Sequence, residues 1–179
     1  KSLRTRFKIN ILPPIHIVDR YMATVAFLGV VNDNKGLEFY ISEHDILVPE
    51  WLPESHRGGF VAYAIGGQHA TKKLPLDRIV NACGSCTLNQ SASLIQQAQW
   101  VVAHDTGLMH IAAAFKKKIY SIWGNTIPEF GMYPYQTDYV VLENKQLACR
   151  PCSKIGHARC PLGHFKCMNE LSLQINPND

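Results

Sequence analysis

The segment from Trp100 to Gly124 constrains the fold of this chain more than any other part of the sequence. It reads W-V-V-A, then H-D-T-G, then L-M-H-I-A-A-A-F-K-K-K, and finally I-Y-S-I-W-G. Short apolar runs bounded by turn residues are typical of buried strands, and residues 108–115 have the composition of a helix. The segment therefore predicts one βαβ unit with a strand at 100–103, a helix at 108–115 and a strand at 119–123.

The turn that precedes the helix carries the polar groups of this unit. Asp105 or Thr106 is expected to cap the helix, which leaves the N–H groups of its first turn unpaired at the positive end of the helix dipole. This anion site would lie outside the carboxyl end of a parallel strand, where α/β folds bind ligands. The predicted binding residues are Asp105, Thr106, Gly107, Leu108, Met109 and His110.

A second interpretation is open for the turn alone, in which Asp105 and Thr106 only cap the helix and His110 is a packed histidine. The complete run favours ligand binding. D-T-G-L-M-H-I-A-A-A, K-K-K-I-Y-S-I-W-G and N-T-I-P-E-F-G-M-Y-P-Y together resemble the sugar-nucleotide end of the family 9 glycosyltransferases, the heptosyltransferase group. The resemblance implies that this turn and His110 contact the diphosphate and sugar of an ADP-heptose-type donor.

The resemblance also implies the fold class and the division of the chain. It implies an α/β fold, a Rossmann-like parallel sheet with helices on both faces, as in the C-terminal lobe of a GT-B type glycosyltransferase. Residues 1–55 would be the end of the acceptor lobe and the passage between lobes. Residues 56–179 would be the nucleotide-sugar binding domain with a cysteine-rich tail.

The implied reaction is inverting transfer of a heptose-like sugar from a nucleotide-diphosphate donor to a lipopolysaccharide core or another glycolipid, without a cofactor. The general base of this family is thought to come from the first lobe, so no catalytic residue is assigned and the chain alone is expected to be inactive. The alternative is a catalytically silent nucleotide-sugar binding module. A serine hydrolase is disfavoured because no G-x-S-x-G elbow is present.

A further donor contact is expected in the loop G-G-Q-H-A-T-K-K-L-P at 66–75, which follows an apolar run at 60–65. This loop resembles the family's phosphate-contacting loop, in which a Lys stands shortly before an aromatic-Pro pair. Lys72 takes that place, and Leu74 replaces the usual Trp. Lys72 would meet the diphosphate as a point charge, although a solvated Lys pair is the alternative. The loop is neither a Walker A loop nor a G-x-G-x-x-G fingerprint, which disfavours P-loop kinases and NAD enzymes.

The interval between the strand ending at Ile65 and a strand expected near Val80 is too short for a complete crossover. Parallel strands need a connection of about a dozen residues, usually with a helix, and the loop uses most of this interval. Family 9 enzymes place a helix, another strand and an acidic donor contact here. We therefore expect residues to be missing between about Pro75 and Val80.

Periodicity predicts four further elements. Apolar residues recur at helical spacing from 15 to 28, before Gly29, and the segment 37–41 has the composition of a strand. Thr87 is a plausible N-cap for a helix reaching residue 97, and residues 139–142 form the last clear strand. Aromatic residues in the loop 125–135 could stack on a base, but packing is the more common fate of such residues.

Four of the six cysteines lie near the end of the sequence, at Cys149, Cys152, Cys160 and Cys167. The first pair has the spacing of a metal knuckle, whereas the second pair is too widely spaced for an ordinary one. Free or packed thiols are therefore the favoured interpretation, structural zinc is the alternative, and a disulfide is less favoured.

Composition restricts the remaining classes. The chain has 179 residues, a net charge of +4 and no apolar run long enough for a membrane span or a signal peptide. We expect a cytoplasmic protein that does not bind nucleic acid, because no RNP-like or complete zinc-finger pattern is present. Basic residues at 1–8 could contact the anionic face of the inner membrane, although they are more often a solvated face.

Overall fold

The computed structural model describes residues 7, 13–64, 80–154, 156, 157 and 159–176. At its centre lies a four-stranded sheet whose strands follow one another in chain order. All three neighbouring pairs are parallel, which confirms the predicted α/β class. The strands are β1 (Ala62–Ala64), β2 (Val101–His104), β3 (Ile119–Trp123) and β4 (Tyr139–Glu143).

Five α-helices and four short 3₁₀ turns complete the described part of the chain. The helices are α1 (Ile17–Val25), α2 (Glu54–Arg57), α3 (Leu88–Gln97), α4 (Gly107–Ala114) and α5 (Lys166–Asn169). The 3₁₀ turns are Ala26–Leu28, Glu43–Asp45, Pro49–Trp51 and Pro128–Phe130.

The predicted βαβ unit is confirmed as β2, α4 and β3. Val101 pairs with Ile119 and His104 with Ile122, so the strands run in parallel along their full shared length. Helix α4 begins one residue earlier than predicted and ends at Ala114, after which Lys116 adopts a left-handed conformation (φ 55°). The chain is thus turned back to start β3 only three residues later, at Ile119.

One face of the sheet packs against α3 and α4. Ala98 at the end of α3 and Met109 in α4 are fully buried against Val101 and Trp123, whose side chains point to this face. A capping box fixes the start of α3, since the Thr87 hydroxyl accepts from the Gln90 N–H and the Gln90 side chain accepts from the Thr87 N–H. The predicted N-cap is therefore confirmed.

The opposite face of the sheet is covered by residues 165–175 of the cysteine-rich tail. Cys167 and Met168, in the one-turn helix α5, pack on Tyr120 and Ile122 of β3. The hydroxyl of Tyr120 donates to the carbonyl of Asn176 at 2.9 Å, which fixes the end of the described chain against the same strand.

Two predicted strands are not formed. Residues 37–41 are extended but pair with no strand in the described part of the chain, and Phe39 instead packs edge-on against Phe115 at a centroid distance of 6.0 Å. Residues 80–82 are irregular and lead into a turn at 83–85. Apolar composition alone cannot distinguish a strand from an extended segment that packs through single side chains.

Several predictions fall outside the described residues. The structure does not describe residues 65–79. This range contains Lys72, the loop at 66–75 and the interval from Pro75 up to Val80 in which a discontinuity is expected. The contact assigned to Lys72 and the break in the chain therefore stay predictions.

Candidate functional site

The candidate site lies at the edge of the sheet where β2 and β3 end. Asp105 and Thr106 follow β2 directly, and the segment from Gly124 to Thr126 follows β3. Because the strands are parallel, both turns project from the same edge, and α4 starts there. Ligands of open α/β sheets bind at this edge.

The first turn of α4 offers two backbone donors rather than the three predicted. The Met109 N–H donates to the Thr106 carbonyl at 3.1 Å, so its predicted availability is wrong. This tight first turn leaves the N–H groups of Gly107 and Leu108 without a hydrogen-bond partner among the described residues. A Cβ placed on Gly107 would meet no atom within 4 Å, so there is open space beside this residue.

Thr106 occupies the N-cap position with extended backbone, but its side chain caps nothing. Its Oγ1 atom is buried and has no hydrogen-bond partner in the described part of the chain. A buried hydroxyl without a partner costs about 1–3 kcal/mol. A ligand oxygen or a water at the start of α4 would relieve this cost.

The Asp105 carboxylate is held by the loop after β3 and does not cap the helix. Its Oδ2 atom accepts a hydrogen bond from the Thr126 hydroxyl at 3.0 Å. Burial raises the pKa of Asp105, while the Thr126 hydrogen bond and the charge of His110 partly oppose the rise. The carboxyl group is therefore a partly desolvated group that one hydroxyl orients.

His110 lies one helical turn into α4, close enough to Asp105 for their charges to interact. Burial lowers the pKa of His110, and the neighbouring carboxylate only partly offsets that effect. The structure thus brings Asp105, Thr106, Gly107, Leu108 and His110 together, as predicted for one binding edge. A neutral imidazole in such a place gains a proton readily when an anion arrives.

Tyr63 and His104 are polar residues of this edge that the sequence did not single out. The Tyr63 hydroxyl lies 3.2 Å from Nε2 of His104, and burial raises the pKa of this tyrosine. Tyr63 lies in the middle of β1 and His104 ends β2, and their rings stack on the face opposite to α4. Their place in two neighbouring strands was the only signal available, because neither residue belongs to a recognisable motif.

The aromatic residues after β3 are mainly packed. Phe130 and Tyr135 are buried, which confirms packing as their role, while Tyr133 is half-buried against His16 and Tyr139. His16 precedes α1 and joins this layer through Nε2, which lies 2.7 Å from the Tyr133 carbonyl. Helix α1 is therefore anchored to the loop that follows β3.

Arg150 is a third residue that sequence reasoning missed. Its side chain is only 5% exposed and forms an ion pair with the equally buried Glu143 at the end of β4. It also donates to backbone carbonyls of the turn after β3. A single Arg in a cysteine-rich segment carries no sequence signal for such a role.

The cysteine-rich tail has one buried and three half-buried thiols near its end. No disulfide joins any of the six cysteines. Burial raises the pKa of Cys167 most, and the nearby thiols of Cys152, Cys160 and Cys149 raise it further. Among the described residues, no three His, Cys, Asp or Glu side chains are arranged to hold a metal ion. Zinc binding therefore stays an untested alternative.

Within the described ranges, no helix combines the length and apolar character that crossing a bilayer requires.

Comparison with known proteins gives one family match over most of the sheet. The model of glycosyltransferase family 9 (heptosyltransferase) matches residues 60–162, which is more than half of the chain. A solved structure, the glycosyl transferase family 9 from Veillonella parvula, superposes with a TM-score of 0.59 at 20% identity. The superposition covers 75% of this chain and 50% of that chain, and at this identity it supports the fold alone.

Three curated relatives match shorter segments. Lipooligosaccharide heptosyltransferase 2 of Campylobacter jejuni is 33% identical over 95 residues, 52% of this chain and 28% of that protein. The protein of the same name from Haemophilus influenzae is 41% identical over 51 residues, 28% of this chain and 15% of the relative. Lipopolysaccharide heptosyltransferase 2 of Escherichia coli is 36% identical over 50 residues, 28% and 14% of the two chains. The matches thus span less than a third of each relative.

Proposed function

Because this chain belongs to glycosyltransferase family 9, we propose that the edge of the sheet around Thr106 and His110 binds the diphosphate of a nucleotide sugar. The observation that carries the proposal is the buried Thr106 hydroxyl, which lacks a partner among the described residues beside two available N–H donors of α4. Backbone donors at a helix N-terminus favour phosphate oxygens through both hydrogen bonding and the helix dipole.

Each polar group of the edge has a distinct role in this proposal. The N–H groups of Gly107 and Leu108 and the hydroxyl of Thr106 donate to phosphate oxygens. His110 becomes protonated beside the diphosphate and stabilises the charge that develops as the glycosidic bond breaks. The Asp105 carboxylate would repel a phosphate, so it accepts hydrogen bonds from sugar hydroxyls instead.

Two further parts of the proposal rest on the family resemblance. Lys72 supplies a second positive charge to the diphosphate, and residues 56–179 form the donor-binding domain that follows the end of an acceptor lobe at 1–55. The full reaction is inverting transfer of a heptose-like sugar from an ADP-linked donor to a lipopolysaccharide core or a related glycolipid. The relatives named above support heptosyl transfer in general, and the protein would work at the cytoplasmic face of the inner membrane.

The first prediction tests the donor site directly. Replacing Thr106 and His110 together with Ala should weaken binding of ADP-heptose, measured by isothermal titration calorimetry, by about 2–4 kcal/mol. That range follows from roughly 1.5–3 kcal/mol for each hydrogen bond to a charged group and incomplete additivity. The loss is expected in affinity and not in folding, because Thr106 Oγ1 holds no described group in place.

The matched control replaces Thr24 and His44 with Ala, since both residues are exposed and lie outside the site. This control should bind the donor like the parent chain. An unchanged affinity in the Thr106 and His110 double variant would contradict the assignment. Incubation of the bound donor with a heptose-accepting lipopolysaccharide core then separates a transferase from a silent binding module, in which the donor binds and stays intact.

A further inference from the structure

Arg150 is a buried cation whose described polar contacts lie at the carboxyl-terminal edge of the sheet. Its Nη2 atom lies 2.9 Å from Oε2 of Glu143, and the two side chains are 5% and 6% exposed. A buried ion pair is weak evidence for a contribution to stability, because removing two charges from water offsets most of their attraction. What distinguishes Arg150 is the number of additional hydrogen bonds that it makes.

The guanidinium donates to four backbone carbonyls besides the carboxylate. Nη2 donates to Trp123 and to Thr126 at 3.0 Å each, Nε donates to Gly124, and Nη1 donates to Asn144 at 2.7 Å. Three of the four carbonyls belong to the turn that leaves β3, and the fourth follows β4. The planar fork of Arg therefore fixes the path of the chain between the end of β3 and Thr126.

Thr126 connects this fixed turn to the proposed donor site. Its carbonyl accepts from Arg150, while its hydroxyl donates to Oδ2 of Asp105 at 3.0 Å. Thr126 is itself buried, so its side chain has little room to reorient while its backbone is held. The position of the Asp105 carboxylate thus depends on a turn that Arg150 holds through hydrogen bonds to its backbone carbonyls.

We propose that Arg150 is a positioning residue of the donor site, which holds Thr126 so that its hydroxyl orients the Asp105 carboxylate at the start of α4. The inference rests on the proposed function only in that Asp105 belongs to the donor site. Lys cannot replace Arg in this role, because an ammonium group offers three donors around one nitrogen and cannot span carbonyls of two separate segments.

A double-mutant cycle tests the inference with two measurements on the 179-residue chain. The variants are Arg150→Lys, Thr126→Val and the pair, and the measurements are the affinity for ADP-heptose and the carboxyl ¹³C titration of Asp105. Thr126→Val removes the hydrogen bond that favours the ionised carboxyl, so the Asp105 titration moves to higher pH. Arg150→Lys is expected to move it in the same direction, although residue 150 does not contact Asp105.

Both single variants should weaken binding of ADP-heptose about five- to tenfold, which corresponds to one lost hydrogen bond between Asp105 and the sugar. The double variant should be no more than about twofold weaker than the worse single variant, because both changes break one connection. The inference would be overturned if the losses of affinity in the two single variants multiply in the double variant. It would also be overturned if Arg150→Lys leaves the pKa of Asp105 unchanged. A general loss of stability would not raise the pKa of Asp105 in both single variants. It would also not produce losses of affinity that fail to multiply in the double variant.

Lys145→Ala is the matched control, since Lys145 pairs with the same Glu143 carboxylate from an exposed position and does not contact the turn. It should leave both measurements unchanged. If Arg150→Lys does not fold, Glu143→Gln takes its place, because it keeps the guanidinium and weakens only its anchor. Failure of the parent chain to bind ADP-heptose would reject the proposed function, whereas the Asp105 titration would still decide the role of Arg150.

Discussion

His16 shows how a single buried side chain makes the stability of this protein depend on pH. Its Nδ1 atom accepts from the Val18 N–H at 3.1 Å, so Nδ1 carries no proton, and Nε2 donates to the Tyr133 carbonyl. Both ring nitrogens are therefore used by the neutral imidazole. Burial lowers the pKa of His16, which outweighs the opposing effect of the Tyr133 carbonyl.

The direction of the pH effect follows from linkage. A histidine with a lowered folded pKa binds its proton more tightly in the unfolded chain, so the free energy of unfolding decreases as the pH falls below about 6.5. Replacing His16 with Asn keeps an N-cap acceptor but removes the titrating group. We expect His16→Asn to cost about 1–2 kcal/mol at pH 7.5 and to lose less stability than the parent chain between pH 7.5 and 5.5.

Urea unfolding at both pH values measures this difference. His44→Asn is the control, because that side chain is 81% exposed. The interpretation of His16 fails if the parent chain and His16→Asn lose equal stability on acidification.

The thiols of the tail differ in reactivity for reasons that are local to each residue. Backbone N–H groups, first that of Phe165, donate to the Cys160 sulfur and lower its pKa, whereas burial raises the pKa of Cys167. At pH 7.5 Cys160 should therefore be alkylated by iodoacetamide at least about tenfold faster than Cys167, because the thiolate reacts and Cys167 is also shielded. Peptide mass spectrometry over a time course gives both rates.

Equal and slow alkylation of Cys149, Cys152, Cys160 and Cys167 would contradict this expectation. That pattern would point to the zinc alternative, since a metal ion protects all of its thiolate ligands together. Elemental analysis of protein purified without added metal would then give the zinc content per chain.

At the scale of elements, the cysteine-rich tail acts as a layer of the core. Met168 is 7% exposed and packs on the sheet face that α3 and α4 do not cover. Met168→Ala should lower the free energy of unfolding by about 2–5 kcal/mol, the usual cost of truncating a buried Met. Urea unfolding measures the change.

Leu162 provides the control for this prediction. It lies in the same tail but is 64% exposed, so Leu162→Ala should stay within about 0.5 kcal/mol of the parent chain. A loss below 1 kcal/mol in Met168→Ala would show that the tail packs loosely on the sheet.

The elements with strong local signals were predictable from the sequence. The β2, α4 and β3 unit has apolar strands, a polar turn and a short return, so several independent signals agree along one segment. The N-cap role of Thr87 was likewise predictable, because a Thr before a helical pattern is a typical N-cap. The strand predicted at residues 37–41 was wrong because a strand needs a partner strand, and no local sequence pattern reveals whether one is present.

In the candidate site, too, residues with a local sequence signal could be predicted and residues linked by distant contacts could not. Asp105, Thr106 and His110 could be proposed as site residues because they are close in sequence and stand at a strand-to-helix turn. Arg150 and Thr126 could not, since their contacts join segments 24 residues apart. The availability of the Met109 N–H was also overestimated, because the choice between a tight and an open first turn depends on fine backbone geometry.

At the scale of the whole molecule, the strand order determines where the connections lie. Each strand pairs with the next one in the chain, and all pairs are parallel. Right-handed crossovers in such a sheet all fall on one face, as observed for α3, α4 and the residues Met132 and Tyr133 of the last connection. In the described part of the chain no crossover lies on the other face, which is covered by the segment that follows β4.

This dependence has a consequence for synthesis on the ribosome. Tyr120 and Ile122 leave the exit tunnel more than 40 residues before Met168, so their apolar face has no cover while the chain is still growing. Uncovered apolar surface on a nascent chain is a site for chaperone binding and for aggregation. The sheet is therefore covered on both faces only after the tail has emerged.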